Sequence, residues 1–117
     1  MDQQAEHFLS GTKIFEEGES GDRMYVVKEG EVDLSVRGKT IAVIGKGGIL
    51  GEMAVIDNKP RSATALARTE CDLVPIDQKR FLSLVQQNPG FAIEVMKVLV
   101  ERLRLMDEGI ETLHDGA

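Results

Sequence analysis

The sequence predicts a mainly β fold, an antiparallel barrel or jelly roll, with helices at its C-terminal end. Glycines punctuate the first two thirds of the chain, and the segments between them are short and have strand character. The last third changes to a helical periodicity. Because 117 residues is the length of one domain, we expect a single domain over residues 1–117, with the barrel at about 11–76 and the helices at about 77–114.

The clearest strand is Glu31–Val36, in which apolar and polar residues alternate. The alternation predicts that Val32, Leu34 and Val36 face the core while Asp33 and Ser35 face water. A tight turn at residues 37–39 leads into a second strand at residues 40–44. Three further strands are predicted, at Met24–Val27, Thr64–Arg68 and Asp72–Ile76.

Two capping signals mark the helices of the last third. Asp77 is the expected N-cap of a helix whose apolar residues are Phe81, Leu82 and Val85. Asn88 is the expected N-cap of a longer helix, with Pro89 at its first position.

Along the longer helix, apolar residues recur at spacings of three and four, the pattern of a helix pair. They are Met96, Leu99, Leu103, Met106, Ile110 and Leu113. As a core stripe the helix would pack on the barrel, and Val95 and Val98 on its adjoining side would serve that purpose. We favour a homodimer through this helix, because this row of apolar residues continues past the part of the helix that the barrel would cover.

Composition excludes several classes of protein. Aromatic residues make up 4% of the chain and Trp is absent, so we expect an aliphatic core. The formal charge is -6 and the cations are scattered, which argues against nucleic-acid binding by this chain alone. The one cysteine, Cys71, indicates a reducing compartment. With neither a signal peptide nor a bilayer-spanning apolar run, we expect a cytoplasmic protein without direct membrane contact.

One segment, Gly51–Ala65, combines groups that bind a phosphate. Gly51 lets the backbone approach a ligand closely, and a short helix predicted over residues 52–56 would direct unpaired N–H groups toward an anion. Arg61 supplies a guanidinium fork for two phosphate oxygens, and Ser62 adds a hydroxyl donor. The segment therefore predicts a receptor for a small phosphorylated ligand.

Glu52 narrows the ligand further, because a carboxylate beside a phosphate would be repelled. Its presence is explained if it accepts a hydrogen bond from a sugar hydroxyl. Each residue alone has a plainer interpretation: Glu52 favours a helix N-terminus, and Arg61 after Pro60 is compatible with a solvated loop. The combination favours a ligand with both a phosphate and a free sugar hydroxyl.

The segment closely resembles the phosphate-binding cassette of the cyclic nucleotide-binding domain family, in Gly51–Ala54 and in Pro60–Thr64. Upstream, Ile14–Val27 and Gly30–Val32 match the family's early strands and turns, and the similarity covers about residues 11–106. The family includes bacterial transcription activators, kinase regulatory subunits and cyclic nucleotide-gated channels. The resemblance implies an eight-stranded jelly roll flanked by helices.

The resemblance also implies a role for each matching residue. Glu52 would hold the ribose 2′-hydroxyl, Arg61 the cyclic phosphate, and Ser62 the phosphate or the purine. Members with Thr directly after the arginine favour the guanine nucleotide, so Ser62 indicates cAMP and leaves cGMP open. The expected ligand-binding residues are Gly51, Glu52, Met53, Ala54, Arg61, Ser62, Ala63 and Arg102.

Some positions depart from the family pattern. Where activator-like members place polar residues against the purine, this chain has Met106 and Asp107, so that base contact is not expected. Arg102 matches an arginine that can reach the cassette glutamate, and we expect it to pair with Glu52 or to cap the base; the alternative is a solvent-facing helix arginine. The family's N-terminal helix is expected to be short or absent, and no helix-turn-helix is expected after the long helix.

Other kinds of site are not expected. The glycine-rich segment Gly45–Gly51 lacks the Gly-Lys-Ser/Thr ending of a nucleoside triphosphate loop. His7 and His114 lie near opposite ends of the chain, so neither a metal site nor a cupin-type histidine cluster is expected. Cys71 is expected to pack in the core rather than to act as a nucleophile.

Two functions remain. The first is a regulatory sensor that binds a cyclic nucleotide, cAMP before cGMP, and relays occupancy through its C-terminal helices. The second is the same fold as a dimerisation or partner-docking module without nucleotide binding. An enzyme is not expected, and neither is a cofactor or metal.

Overall fold

The computed structural model describes residues 4–115, with side chains as far as Arg104. The predictions made for Met106, Asp107, Ile110, Leu113 and the His114 side chain lie outside the described residues. Among the helices of the described part, none is long and apolar enough to cross a membrane.

Within residues 4–115 the chain forms eight strands followed or interrupted by three helices. In chain order these are β1 (Glu6–Phe8), β2 (Lys13–Phe15), β3 (Arg23–Glu29), β4 (Val32–Val36), β5 (Lys39–Ile44), β6 (Ile49–Leu50), α1 (Glu52–Asp57), β7 (Thr64–Ala67), β8 (Cys71–Asp77), α2 (Gln78–Gln87) and α3 (Gly90–Asp115).

The strands form two antiparallel sheets of four strands each. Their orders are β1-β8-β3-β6 and β2-β7-β4-β5. Successive strands often change sheet, as β2 and β3 do, which gives the chain a roll-like course. The predicted fold class, a mainly antiparallel β roll with C-terminal helices, is confirmed. The longest pairing joins β3 to β8, from Arg23 opposite Asp77 to Glu29 opposite Asp72.

Burial along β4 follows the predicted alternation at its first two apolar positions. Val32 is 0% and Leu34 3% exposed, whereas Val36 is only half-buried. The polar residues between them, Asp33 and Ser35, are also half-buried rather than fully solvated. Strands β5 and β7 pair on either side of β4, so its backbone is shielded along both edges.

The core contains aromatic rings as well as aliphatic residues, which corrects the expectation of an aliphatic core. Phe15 and Tyr25 are both 7% exposed and stack on each other, with ring centroids 6.4 Å apart and an interplanar angle of 19°. Phe8 meets Tyr25 edge-on at 6.3 Å. Low aromatic content therefore limits the number of rings but does not keep them out of the core.

The turn between β4 and β5 lies where the sequence predicts it. Arg37 and Gly38 both have positive φ, 53° and 79°. Positive φ at both central residues is the geometry of a type I′ hairpin, whose twist matches that of the flanking strands. Gly38 adopts this conformation without the strain that a Cβ would add.

Contacts divide the chain into two compact units, Met1–Ser83 and Leu84–Ala117. In the first unit, the Asp77 carboxylate accepts a hydrogen bond from the backbone N–H of Arg80 at 2.8 Å, which confirms the predicted N-cap of α2. In the second, the side-chain oxygen of Asn88 accepts one from Gly90 N–H at 3.2 Å at the start of α3.

The apolar positions of the helices differ from the prediction in part. On α2, Phe81 and Val85 are half-buried, but Leu82 is 60% exposed. On α3, Val95 is buried, Leu99 is half-buried, and Met96 and Leu103 are exposed. Leu99 therefore lies between the buried side of the helix and the exposed residues of the predicted apolar row.

Three short strands are not predicted from hydrophobic patterning, although the resemblance implies eight strands in all. They are β1, β2 and β6, of two or three residues each. So few residues carry too little alternation to indicate a strand.

Candidate functional site

The short helix α1 begins where the sequence predicts it. β6 ends at Leu50, and Gly51 follows with φ 75° and ψ 15°, a left-handed conformation that glycine adopts readily. Glu52 is the first residue of α1 and its side chain is buried, with 2% exposure. The helix ends at Asp57, one residue later than predicted, with Asn58 in the left-handed region as its C-cap.

Arg61 is held by its backbone in a bridge between two distant segments. Its N–H donates to the carbonyl of Glu19 at 2.8 Å, and its own carbonyl accepts from Gly18 N–H at 2.8 Å. The loop between β2 and β3 thus grips the segment that follows α1. These two hydrogen bonds fix the position of the Arg61 backbone, and with it the point from which the side chain extends into the interior.

The guanidinium of Arg61 lies in a close-fitting cradle. Its Cζ is 4.1 Å from the centroid of the Phe15 ring, and its Nη1 donates to the carbonyl of Gly51 at 3.3 Å. A Cβ on Gly21 would lie 2.3 Å from Nε, and one on Gly51 would lie 2.6 Å from Nη1. Only residues without a side chain fit at these two positions while the guanidinium stays where it is.

The cradle buries a positive charge. Arg61 is 8% exposed, and burial is the main cause that lowers its pKa, while the nearby Tyr25 and Asp22 oppose that shift. Its Nε is buried without a hydrogen-bond acceptor. In the part of the chain that the structure describes, no ion pair within 4.0 Å includes Arg61. A buried donor in this state is costly unless an acceptor meets it.

The structure brings several of the predicted residues together. Gly51 contacts Arg61 as described, and the Ser62 hydroxyl donates to the Met53 sulfur at 3.4 Å. Met53 is 45% exposed, and Ser62 is also exposed, so both reach the surface beside the buried arginine.

The remaining predicted residues are placed less closely. Ala54 is buried on α1, and Ala63 is half-buried just before β7. Arg102 is half-buried on α3, in the second unit. Its predicted pairing with Glu52, or contact with a base, stays a prediction.

Two residues of the cradle, Phe15 and Gly21, are not among the residues predicted from the sequence. Both lie in a segment that matches the family's early strands, but nothing in their spacing indicates that they meet Arg61. Gly21 is the second glycine of the loop between β2 and β3, three residues after Gly18. Gly18 has a positive φ and Gly21 does not, so the turn itself does not explain Gly21, and this could have drawn attention to it. Phe15 carries no such signal.

No group of three His, Cys, Asp or Glu side chains that could hold a metal ion occurs among the described residues. His7 lies between two carboxylates: its Nδ1 is 2.7 Å from Asp72 Oδ1 and its Nε2 is 3.0 Å from Glu70 Oε1. Cys71 is buried and its thiol contacts the carbonyl oxygens of Glu31 and Thr69 at 3.1 Å, as expected of a packing residue.

Comparison with known proteins identifies relatives of this site and fold. A CRP-like cAMP-activated global transcriptional regulator from Mycobacterium tuberculosis is 29% identical over 111 residues, which cover 91% of this chain and 50% of the relative. The chain therefore spans about half the length of this curated relative.

Two solved structures are similar to this chain over most of its length. The Thermus thermophilus Catabolite Activator Protein has 31% identity and a TM-score of 0.83, over 96% of this chain and 55% of that one. The structure of cAMP-bound PfPKA-R has 30% identity and a TM-score of 0.80, over 90% of this chain and 36% of that one.

The family model described as "Cyclic nucleotide-binding domain" matches residues 5–88, more than half of the chain. The matched range contains α1, the Arg61 cradle and every predicted ligand-binding residue except Arg102. This chain belongs to the cyclic nucleotide-binding domain family.

Proposed function

We propose that this chain is a regulatory sensor whose ligand is cAMP. The observation that carries the proposal is the Arg61 guanidinium, 8% exposed and with a buried Nε that has no acceptor. A cyclic phosphate supplies a negative charge and two free oxygens, which is what a buried guanidinium requires. The cAMP-activated and cAMP-bound relatives support this ligand.

The residues around Arg61 fit the rest of the nucleotide. Glu52, which is buried at the start of α1, would accept a hydrogen bond from the ribose 2′-hydroxyl. Ser62 would exchange its contact with the Met53 sulfur for one with the phosphate or the purine, since a thioether is a weak acceptor. The proposed binding set is Gly51, Glu52, Met53, Ala54, Arg61, Ser62, Ala63 and Arg102.

Calorimetric titration tests the ligand. We expect cAMP to bind more tightly than cGMP, and the phosphomonoester 5′-AMP to bind poorly because a buried site must desolvate its second charge. Tight binding of the cyclic dinucleotide c-di-GMP instead would transfer the assignment to another ligand. Absence of binding by all four at millimolar concentration would refute the sensor proposal.

Variants of Arg61 test the site. Arg61→Ala is expected to weaken cAMP binding by ~2–5 kcal/mol, since the buried phosphate loses its partner, or roughly thirty-fold and more. The matched control is Arg37→Ala, which removes an exposed arginine from the β4–β5 turn. Binding by Arg61→Ala at wild-type affinity would place the phosphate elsewhere.

We further propose that occupancy is relayed from α1 to the C-terminal helices. The Gln78 side-chain amide, at the first residue of α2, donates to the carbonyl of Val55 on α1 at 3.2 Å. A ligand biases such an element only through contacts that differ between its two states. Hydrogen exchange should therefore show cAMP-dependent protection of α2 in the wild type. In Gln78→Ala that protection should fall while cAMP affinity is kept.

A homodimer through α3 is proposed as the assembly. Apolar residues exposed on α3 recur at heptad spacing, at Ile93, Met96, Val100 and Leu103. Val100→Glu is expected to give a monomer in light scattering at a concentration where the wild type is a dimer. Gln86→Glu, which changes an exposed residue of α2, should leave the mass unchanged.

The second candidate function is the same fold acting as a docking or dimerisation module without a ligand. The exposed apolar residues of α3 favour it, whereas the buried Arg61 does not, because a module without a ligand gains nothing from a buried charge. We propose no catalytic activity for this chain and place it in the cytoplasm, with no direct contact to membrane or nucleic acid.

A further inference from the structure

We propose that Phe15 is a positioning residue for Arg61, and that the negative face of its ring, rather than its bulk, sets the affinity for the nucleotide phosphate. The proposal rests on the assignment of Arg61 as the phosphate ligand. Phe15 itself need not touch the nucleotide, since it acts through the guanidinium that lies 4.1 Å from its centroid.

The ring of Phe15 packs against two neighbouring groups. Tyr25 stacks on it at 6.4 Å with an interplanar angle of 19°, and the Arg61 guanidinium lies over it. The pairing of β2 with β7 shifts between Lys13, opposite Leu66, and Phe15, opposite Ala65. Such a bulge re-aims a side chain, and here Lys13 is exposed while Phe15 is 7% exposed.

The guanidinium needs compensation for its burial. Of its donors, Nη1 is bonded to the Gly51 carbonyl, whereas Nε is buried without an acceptor. The two glycines at its edge offer backbone but no side-chain charge. An aromatic face attracts a cation through its quadrupole, and the attraction grows when water is excluded. The carboxylates of Asp22 and Glu19 also favour the charged form from a distance, without an ion pair to Arg61 within 4.0 Å among the described residues. Phe15 is therefore the group in direct contact with the guanidinium that offsets part of the lost hydration without neutralising the charge.

An aromatic ring differs from a carboxylate because it leaves the positive charge of Arg61 unneutralised. A carboxylate at the position of Phe15 would pair with Arg61 and compete with the phosphate for the same donors. The π face attracts the guanidinium without a formal negative charge or a lone pair, so it does not compete with an anion for the N–H groups as a carboxylate would.

A purely structural role for Phe15 makes a different prediction. If the ring served only as an apolar wall, a saturated ring of the same shape would serve equally well. The experiment therefore replaces Phe15 in the full 117-residue chain with cyclohexylalanine, and with 4-fluoro-, 3,5-difluoro- and 3,4,5-trifluorophenylalanine. The shape is nearly constant along this series, while the negative potential of the ring face falls with each fluorine.

We expect cAMP affinity, measured by calorimetry, to fall stepwise along the fluorinated series and to be about 3- to 30-fold weaker in the cyclohexylalanine variant. Phenylalanine inserted by the same method should restore wild-type affinity. Equal affinity across the series would overturn the proposal. So would a loss that follows the unfolding midpoint of each variant instead of the number of fluorines.

A second measurement on the free protein separates this proposal from the choice of ligand. The Arg61 Hε and Hδ resonances, assigned by their loss in Arg61→Lys, should be shifted upfield by the ring current of Phe15. The cyclohexylalanine variant should lose that shift. If the wild type binds no cyclic nucleotide but shows the upfield shift, the sensor assignment fails and the positioning of Arg61 stands. If the shift is absent, the positioning proposal fails.

Discussion

Gly51 lies so close to Arg61 that a side chain at residue 51 would overlap the guanidinium. The Gly51 carbonyl accepts a hydrogen bond from Arg61 Nη1 at 3.3 Å, and a Cβ on Gly51 would lie 2.6 Å from that same nitrogen. The glycine at the start of α1 is thus required twice, once by its φ of 75° and once by the guanidinium beside it. The two requirements can be separated by experiment.

Gly51→Ala is expected to lower the free energy of unfolding by ~2–5 kcal/mol, from left-handed strain and from overpacking against Arg61. Gly38→Ala is the matched control, since Gly38 has φ 79° and a Cβ added to it would have no atom within 4 Å. It should cost only the strain, ~1–2 kcal/mol, and bind cAMP normally. Urea unfolding measures both. If both variants lose the same free energy of unfolding, the Arg61 guanidinium does not limit the space at residue 51.

Gly21→Ala tests the opposite edge of the cradle. A Cβ there would lie 2.3 Å from Arg61 Nε, and φ is not in the positive region, so the effect comes from displacement of the guanidinium alone. We expect cAMP affinity to fall about 5- to 150-fold, which corresponds to ~1–3 kcal/mol of overpacking. Gly45→Ala, which has open space around it, should bind normally. Unchanged affinity in Gly21→Ala would show that Arg61 moves without consequence.

The pKa of His7 is expected to lie above 6.5, because its hydrogen bond to Asp72 and, to a lesser extent, that to Glu70 favour the protonated ring. Only the protonated ring donates from both nitrogens. Since the folded pKa is the raised one, this contribution to stability is complete below pH 6.5 and is lost as pH rises through the folded value.

The His7 titration can be followed by NMR, with His7→Gln used to assign its signals. Asp72→Asn should move the pKa of His7 back toward 6.5, and the wild type should lose its stability advantage over His7→Gln on passing from pH 6 to pH 9. A pKa of His7 at or below 6.5 in the wild type would contradict the contacts between β1 and β8.

Asp77→Ala is expected to destabilise α2 by ~0.5–2 kcal/mol, because the N–H of Arg80 loses the carboxylate that accepts its hydrogen bond at 2.8 Å. Asp77→Ser keeps a capping oxygen and should recover most of the loss. Thermal unfolding gives the difference. If the Ser and Ala variants unfold alike, the cap contributes nothing and α2 is held by packing.

Much of the fold follows from local patterns in the sequence. The alternation around Leu34 and the paired capping signals at Asp77 and Asn88 depend on neighbours a few residues away, so the sequence alone locates β4 and the starts of α2 and α3. The strand at Ile49–Leu50 has no such pattern, since it exists by pairing with β3. Burial on α3 depends on packing, so the spacing of apolar residues alone did not predict that Leu99 is half-buried while Met96 and Leu103 are exposed.

The candidate site divides in the same way. Gly51, Glu52, Arg61 and Ser62 form a linear pattern that chemistry can interpret. The burial of Arg61, the Phe15 ring beneath it and the backbone of Gly21 at its edge come from another part of the chain, and no spacing rule connects them. The sequence predicts which groups would meet a phosphate but not the surroundings that give the arginine its charge environment.

The backbone bonds that join Arg61 to Gly18 and Glu19 have a consequence for protein engineering. A peptide that copies residues 51–65 would contain every letter of the recognisable motif, yet its arginine would be fully hydrated and free to rotate. The motif is therefore not portable: transplanting it to another scaffold requires a second strand-and-loop fragment, from Phe15 to Gly21, held in register with it. A library that varies residues 51–65 alone would leave Phe15 and Gly21, which pack against the Arg61 guanidinium, unchanged.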